Sequence, residues 1–141
     1  MSNLSLAGWL ERLEQLHPSA IDLGLNRCGE VARRLDLVDT GIITATVAGT
    51  NGKGTTVAVM ESVLCASGVH CGAFTSPHLI RFNERIRVDG QEVSDETIVA
   101  AFEAIERARE EISLTYFEFG ALAALWIFKS FNVQYQLLEV G

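Results

Sequence analysis

Val47-Ala48-Gly49-Thr50-Asn51-Gly52-Lys53-Gly54-Thr55-Thr56 is the stretch that decides the fold. An apolar, β-branched run from Ile42 to Ala48 enters it, and a helical pattern from Thr55 to Ser67 leaves it. Three glycines between a strand and a helix allow backbone turns and close approaches that a side chain would block. Amides at the start of the helix lack intrahelical partners, and the helix dipole adds partial positive charge there. Lys53 supplies a cation for β- and γ-phosphate oxygens, and Thr55 a hydroxyl within reach of a magnesium ion. The residues Gly49, Thr50, Asn51, Gly52, Lys53, Gly54, Thr55 and Thr56 are therefore the expected ATP-binding set. Lys53 is the residue expected to act on the reacting phosphates. The spacing departs from the common G-x-x-x-x-G-K-S/T pattern. Val47 stands five positions before Gly52, and Gly54 occupies the place of the first hydroxyl. The plain structural alternative is a glycine-rich turn with an exposed lysine.

Reading outward, Val69 to Thr75 forms a second strand pattern. Strand, helix and strand in that order predict a βαβ unit with parallel strands and a right-handed crossover. Ile86-Arg87-Val88 and Glu92-Val93 flank Asp89-Gly90, a hairpin signal. Ser94 opens a helix through about Glu110, Tyr116 to Phe131 reads as a second and largely apolar helix, and Val133 to Val140 as a third strand. Before the loop, Leu6, Trp9, Leu10, Leu13 and Leu16 recur at helical spacing, and Pro18 ends that pattern. Asn26 suits the N-cap of a helix through about Leu37. The predicted fold class is α/β, a P-loop NTPase-like parallel sheet with flanking helices. Residues 1–40 are expected as a helical segment and 41–141 as the βαβ core. Three parallel strands leave open edges, so the sheet is expected to continue in a longer protein.

Composition narrows the function. The chain has 141 residues, at most one ordinary domain, and its 48% apolar content suffices for a core. A net charge of −7 disfavours duplex nucleic acid as the main partner. The longest apolar run, Ala121 to Phe128, falls well short of the roughly 20 residues a membrane span needs. Glu11, Arg12 and Glu14 interrupt the place where an apolar signal core would sit. Cys28, Cys65 and Cys71 lack metal-site spacing and read as reduced thiols. The expected setting is the cytoplasm, with no nucleic acid and no membrane as partner.

Further motifs carry a resemblance. Gly49-Thr50-Asn51-Gly52-Lys53-Gly54-Thr55 resembles the phosphate loop of the folylpolyglutamate synthases and dihydrofolate synthases, relatives of the Mur ligases. The stretches Thr75-Ser76-Pro77-His78-Leu79, Arg81-Phe82-Asn83-Glu84-Arg85-Ile86, Thr115-Tyr116-Phe117-Glu118 and Leu138-Glu139-Val140-Gly141 fit the same family, in order. Ile21-Asp22-Leu23-Gly24-Leu25 is similar to the bifunctional bacterial branch. Mur ligases share Gly-Thr-Asn-Gly-Lys but usually place a hydroxyl where this chain has Gly54.

The resemblance implies the Mur-ligase central-domain type of fold, incomplete in this chain. It also implies a reaction. ATP phosphorylates a substrate carboxylate, and the amino group of L-glutamate attacks the acyl phosphate to form an amide. The carboxylate belongs to dihydropteroate or to a folate γ-glutamyl group. Carried over residue by residue, Ser76 and Glu139 would ligate Mg2+. Asp22, Leu23, Gly24 and Leu25, with Thr115, Tyr116, Phe117 and Glu118, would line the pteridine pocket. Arg81, Arg85 and Arg87 are candidates for steering an anionic substrate, or are simply exposed arginines beside a hairpin. The resemblance further implies a second domain, and a monomer at full length. The 141-residue chain alone is not expected to turn over. The competing readings are a Mur-type ligase and an inactive nucleotide-binding fragment.

Overall fold

The computed structural model describes residues 4–16 and 25–140. Ten helices and strands are described: α1 (Leu6–Leu16), α2 (Leu25–Arg34), β1 (Ile43–Ala48), α3 (Lys53–Ala66), β2 (Cys71–Phe74), β3 (Ile86–Val88), β4 (Gln91–Glu92), α4 (Asp95–Arg109), α5 (Tyr116–Ser130) and β5 (Tyr135–Val140). They divide into two units. One spans residues 1–40 and 95–127, the other 41–94 and 128–141.

The first unit is helical. The apolar stripe of α1 buries Trp9 and Leu13, and α2 buries Val31. Ile98, Phe102 and Ile105 of α4 recur at helical spacing and are fully buried. Trp9, Phe102 and Phe119 form a ring cluster, with centroids 5.6–6.3 Å apart in tilted and edge-on arrangements favoured by aromatic quadrupoles. Arg12 covers Trp9 and pairs with Glu106 at 2.7 Å.

The second unit is a five-stranded sheet in the order β1-β5-β2-β3-β4. β5 lies between β1 and β2 and runs parallel to both. The two strands of the predicted βαβ unit are thus parallel, as expected, with the last strand inserted between them. Val57 of α3 packs on Ala73 of β2 and Leu137 of β5, and Ala45, Val47, Met60 and Leu64 extend this core. Gly72 leaves room for the Phe128 ring to lie directly on the backbone of β2. A Cβ there would meet Phe128 Cδ1 at 2.3 Å.

The three expected strands are parallel, but the edge at β2 is covered instead of open. β3 pairs antiparallel with β2, and β4 with β3, so the hairpin covers the β2 edge. Asp89 and Gly90 both take positive φ, 53° and 80°, as a two-residue hairpin turn requires. Ile86 and Val88 point into the core. That burial seats the hairpin on β2. Helix starts shift slightly: α2 begins at Leu25, ahead of the proposed Asn26 cap, and α3 at Lys53 instead of Thr55. The loop after β2 contains a short 3-10 turn, Phe82–Arg85.

Candidate functional site

The site of the second unit lies where β1, β5 and β2 end. The register pairs Val47 with Glu139 and Phe74 with Leu138. The carboxyl ends of three parallel strands therefore meet the loop 49–52, Glu139 and Ser76, the usual place for a ligand in an open α/β sheet.

Gly52 closes the loop at φ 78° and ψ 5°, a left-handed conformation that favours glycine. It precedes Lys53, the first residue of α3, and no side chain caps this helix end. The amides of Lys53, Gly54 and Thr55 fall before the first intrahelical bond, Thr56 N to Gly52 O at 2.9 Å. The Thr56 hydroxyl donates to the same carbonyl at 2.9 Å. Thr55 and Thr56 are both exposed, and the Thr56 hydroxyl is held by the backbone. A Cβ on Gly49 would lie 3.9 Å from Lys53 Cγ, so the lysine stem folds over the loop.

Glu139 is only 5% exposed. Its Oε1 accepts the Ser76 amide at 2.8 Å. Its Oε2 faces α3, where a Cβ on Gly54 would approach it to 3.6 Å. Gly54 thus brings the helix backbone against a buried carboxylate. Ser76 and Glu139 are neighbours in space, although 63 residues separate them. A carboxylate and a serine hydroxyl are hard oxygen donors, and Mg2+ is held by one or two such groups together with phosphates and water. The donor set fits that ion. Among the described residues no group of three His, Cys, Asp or Glu side chains is placed to hold a metal ion.

The loop after β2 is braced by Glu84, which accepts the amides of Leu79, Ile80 and Arg81 at 2.7–2.9 Å. These bonds, the Leu79 amide foremost, hold its carboxyl below the ordinary glutamate range. The arginines weighed for steering have local partners. Arg87 pairs with the buried Glu61 at 3.1 Å and donates to the Glu84 carbonyl at 2.7 Å. Arg85 Nε donates to His78 Nδ1 at 2.7 Å.

The stretch Thr115–Glu118, expected to line a pteridine pocket, lies in the first unit, at the start of α5. Thr115 and Glu118 form a reciprocal cap. The Glu118 amide donates to Thr115 Oγ1 at 3.1 Å, and the Thr115 amide to Glu118 Oε1 at 2.9 Å. T-x-x-E is a capping-box sequence, so the sequence itself signals this helix start. Arg27 grips the same carboxylate with both terminal nitrogens at 3.1 Å. Phe117 is 45% exposed and Leu25 83%. Asp22, Leu23 and Gly24 lie outside the described residues.

At the opposite end of the sheet, His70 Nδ1 lies 2.5 Å from an Asp89 carboxylate oxygen and Nε2 lies 2.7 Å from the Phe131 carbonyl. Chiefly the Phe131 carbonyl, with help from Asp89 and against partial burial, raises its pKa. Burial and the neighbouring Cys65 push the Cys71 thiol up to about 12.

Fold and site define an α/β domain of the Mur-ligase type with a glycine-rich loop opening onto an uncapped helix. No protein-family model matches the chain. It is 52% identical to the dihydrofolate synthase/folylpolyglutamate synthase of Escherichia coli strain K12, over 96% of this chain and 32% of that protein. The fold superposes on E. coli FolC in complex with DHPP and ADP at a TM-score of 0.95, with 51% identity over 99% of this chain and 34% of that one. The Yersinia pestis CO92 bifunctional enzyme complexed with AMPPNP and Mn gives 0.94 and 50%, over the same shares. The chain belongs to the folylpolyglutamate synthase/dihydrofolate synthase family, and spans about a third of the length of these relatives.

Proposed function

We propose that the protein holding this chain is an ATP-dependent carbon–nitrogen ligase. It adds L-glutamate to dihydropteroate, to folate γ-glutamyl chains, or to both. The observation that carries the reading is the buried Glu139 carboxylate set against Gly54 at an uncapped helix N-terminus. The same fold in relatives bearing ADP, or AMPPNP with Mn, supports it.

In this reading Gly49 to Thr55 wrap the triphosphate with backbone amides. Lys53 neutralises charge on the β- and γ-oxygens, and stabilises the charge that develops as the γ-phosphoryl leaves. Glu139 and Ser76 would hold Mg2+, which would supply positive charge to offset the repulsion among phosphate oxygens. Thr56, also in the expected ATP-binding set, shapes the loop through the bond of its hydroxyl to the Gly52 carbonyl. Thr115, Tyr116, Phe117 and Leu25, with Asp22, Leu23 and Gly24, would face the pterin. Glu118 serves them by capping.

The chemistry is phosphoryl transfer to the acceptor carboxylate, with release of ADP. Attack by the glutamate nitrogen and loss of phosphate complete the amide. The protein positions the groups and stabilises charge, and forms no covalent bond of its own. The full-length enzyme is proposed to be a cytoplasmic monomer whose partners are small molecules, not nucleic acid or membrane. Residues 1–40 and 41–141 are proposed as the helical segment and nucleotide core of its N-terminal part. A coupled ADP-release assay of the full-length protein tests this. ADP release requiring both dihydropteroate and L-glutamate is expected. Release driven instead by a UDP-muramoyl substrate, or none at all, contradicts it.

A further inference from the structure

We propose that Arg27 is a positioning residue for the acceptor substrate: its guanidinium clamps residues 113 and 118 and so sets the pose of the aromatic Phe117 between them. The inference rests on the reading above, that Thr115–Glu118 meets a flat heteroaromatic acid.

Arg27 stands in the first turn of α2 and reaches a helix start 91 residues further along the chain. Its Nη1 and Nη2 meet Glu118 Oε1 and Oε2 at 3.1 Å each, the bidentate fork that arginine matches to a carboxylate. Nη1 also donates to the Ser113 carbonyl. The two side chains are only 23% and 14% exposed, so the link is shielded from water. Glu118 passes the constraint on, because its Oε1 also accepts the Thr115 amide.

The bracketed segment is held at two further points. Leu114 is 1% exposed and anchors it, and the Thr115 hydroxyl takes the Glu118 amide. Phe117 is the residue of the bracket that shows nearly half its surface. An aromatic ring held by an over-determined backbone offers a planar ligand a face whose ordering has already been met on folding. Glu118 has its carboxylate committed to Arg27 and Thr115. The charge of Arg27 is in turn matched by Glu118. This pair is suited to set geometry for its neighbours.

Lysine at this position keeps the charge but cannot span two carboxylate oxygens and a carbonyl together. The full-length protein is assayed for ADP release with dihydropteroate, L-glutamate and ATP. Arg27→Lys and Glu118→Gln are each expected to raise KM for dihydropteroate about tenfold to a hundredfold, the scale of a small misplacement of a binding group. KM for ATP should stay within about threefold and the melting temperature within a few degrees. The double variant should be no worse than the worse single variant, since both cut one link. A merely structural pair would lower the melting temperature and the active fraction while leaving both KM values unchanged. That outcome overturns the inference, as does an additive double variant. Phe117→Ala separates the two claims. If it raises KM for dihydropteroate while Arg27→Lys does not, the clamp is wrong and the substrate reading stands. If neither variant moves that KM, both fall.

Discussion

Replacing Gly72 with alanine adds one methyl group at the tightest backbone approach in the sheet. The new Cβ would lie 2.3 Å from Phe128 Cδ1, 2.5 Å from Cε1 and 2.7 Å from Cγ. Such contacts require movement, and Phe128 is fully buried. Overpacking of this kind costs about 1–3 kcal/mol. Contacts this short on a ring place the cost in the upper half of that range. Alanine returns roughly 0.5–1 kcal/mol by restricting the unfolded chain. The net loss is about 2 kcal/mol, or a melting temperature lower by about 4–8 °C for a chain of this size. Urea unfolding followed by circular dichroism measures it. Phe128→Leu removes the ring edge, so the same Gly72→Ala change should cost under about 1 kcal/mol in that background. A cost below about 0.5 kcal/mol in the wild-type background, or an equal cost in both, refutes the reasoning.

Two further predictions concern titratable groups at the far end of the sheet. His70 has a folded pKa above its unfolded value, so its contribution is fully present below about pH 6.5 and lost as pH rises through the folded value. The wild-type protein should therefore out-melt His70→Gln by the widest margin near pH 5.5, with the gap closing above neutrality. A gap that widens with pH would show that the ring is not held as imidazolium. Cys71 is buried, with its thiol pushed up to about 12, so iodoacetamide at pH 7.5 should leave it unmodified in the folded protein and label it in urea. Peptide mass spectrometry reads both states, and labelling of the folded protein at the rate seen in urea would contradict the assigned burial.

The glycine-rich turn between β1 and α3 is legible because its signals are local. Glycines, a lysine and a strand-to-helix switch sit within ten residues and need no partner to be read. The Asp89-Gly90 turn was legible for the same reason. What the hairpin pairs with was not, since its seat on β2 depends on Ile86 and Val88 meeting a core assembled from distant segments. The insertion of β5 between β1 and β2 is likewise a long-range event, and only the register it creates sets Glu139 opposite Val47. Gly72 reads as an ordinary strand glycine until Phe128, 56 residues later, lies on it. Thr115 and Glu118 carry capping-box spacing within four residues, whereas the Arg27 link joins segments 91 residues apart and is not readable from either end alone.

The account rests on an uncapped helix start and a buried carboxylate gripping a nucleotide's phosphates. Calorimetric titration of the purified protein with AMPPNP, with and without Mg2+, tests this most directly. Wild type should bind, and more tightly with Mg2+. Lys53→Ala should weaken binding by about tenfold to a hundredfold, from the 1.5–3 kcal/mol of a charge-assisted contact. Glu139→Gln should abolish the gain from Mg2+. Binding in which both variants equal wild type, or no binding by wild type at all, would contradict the account.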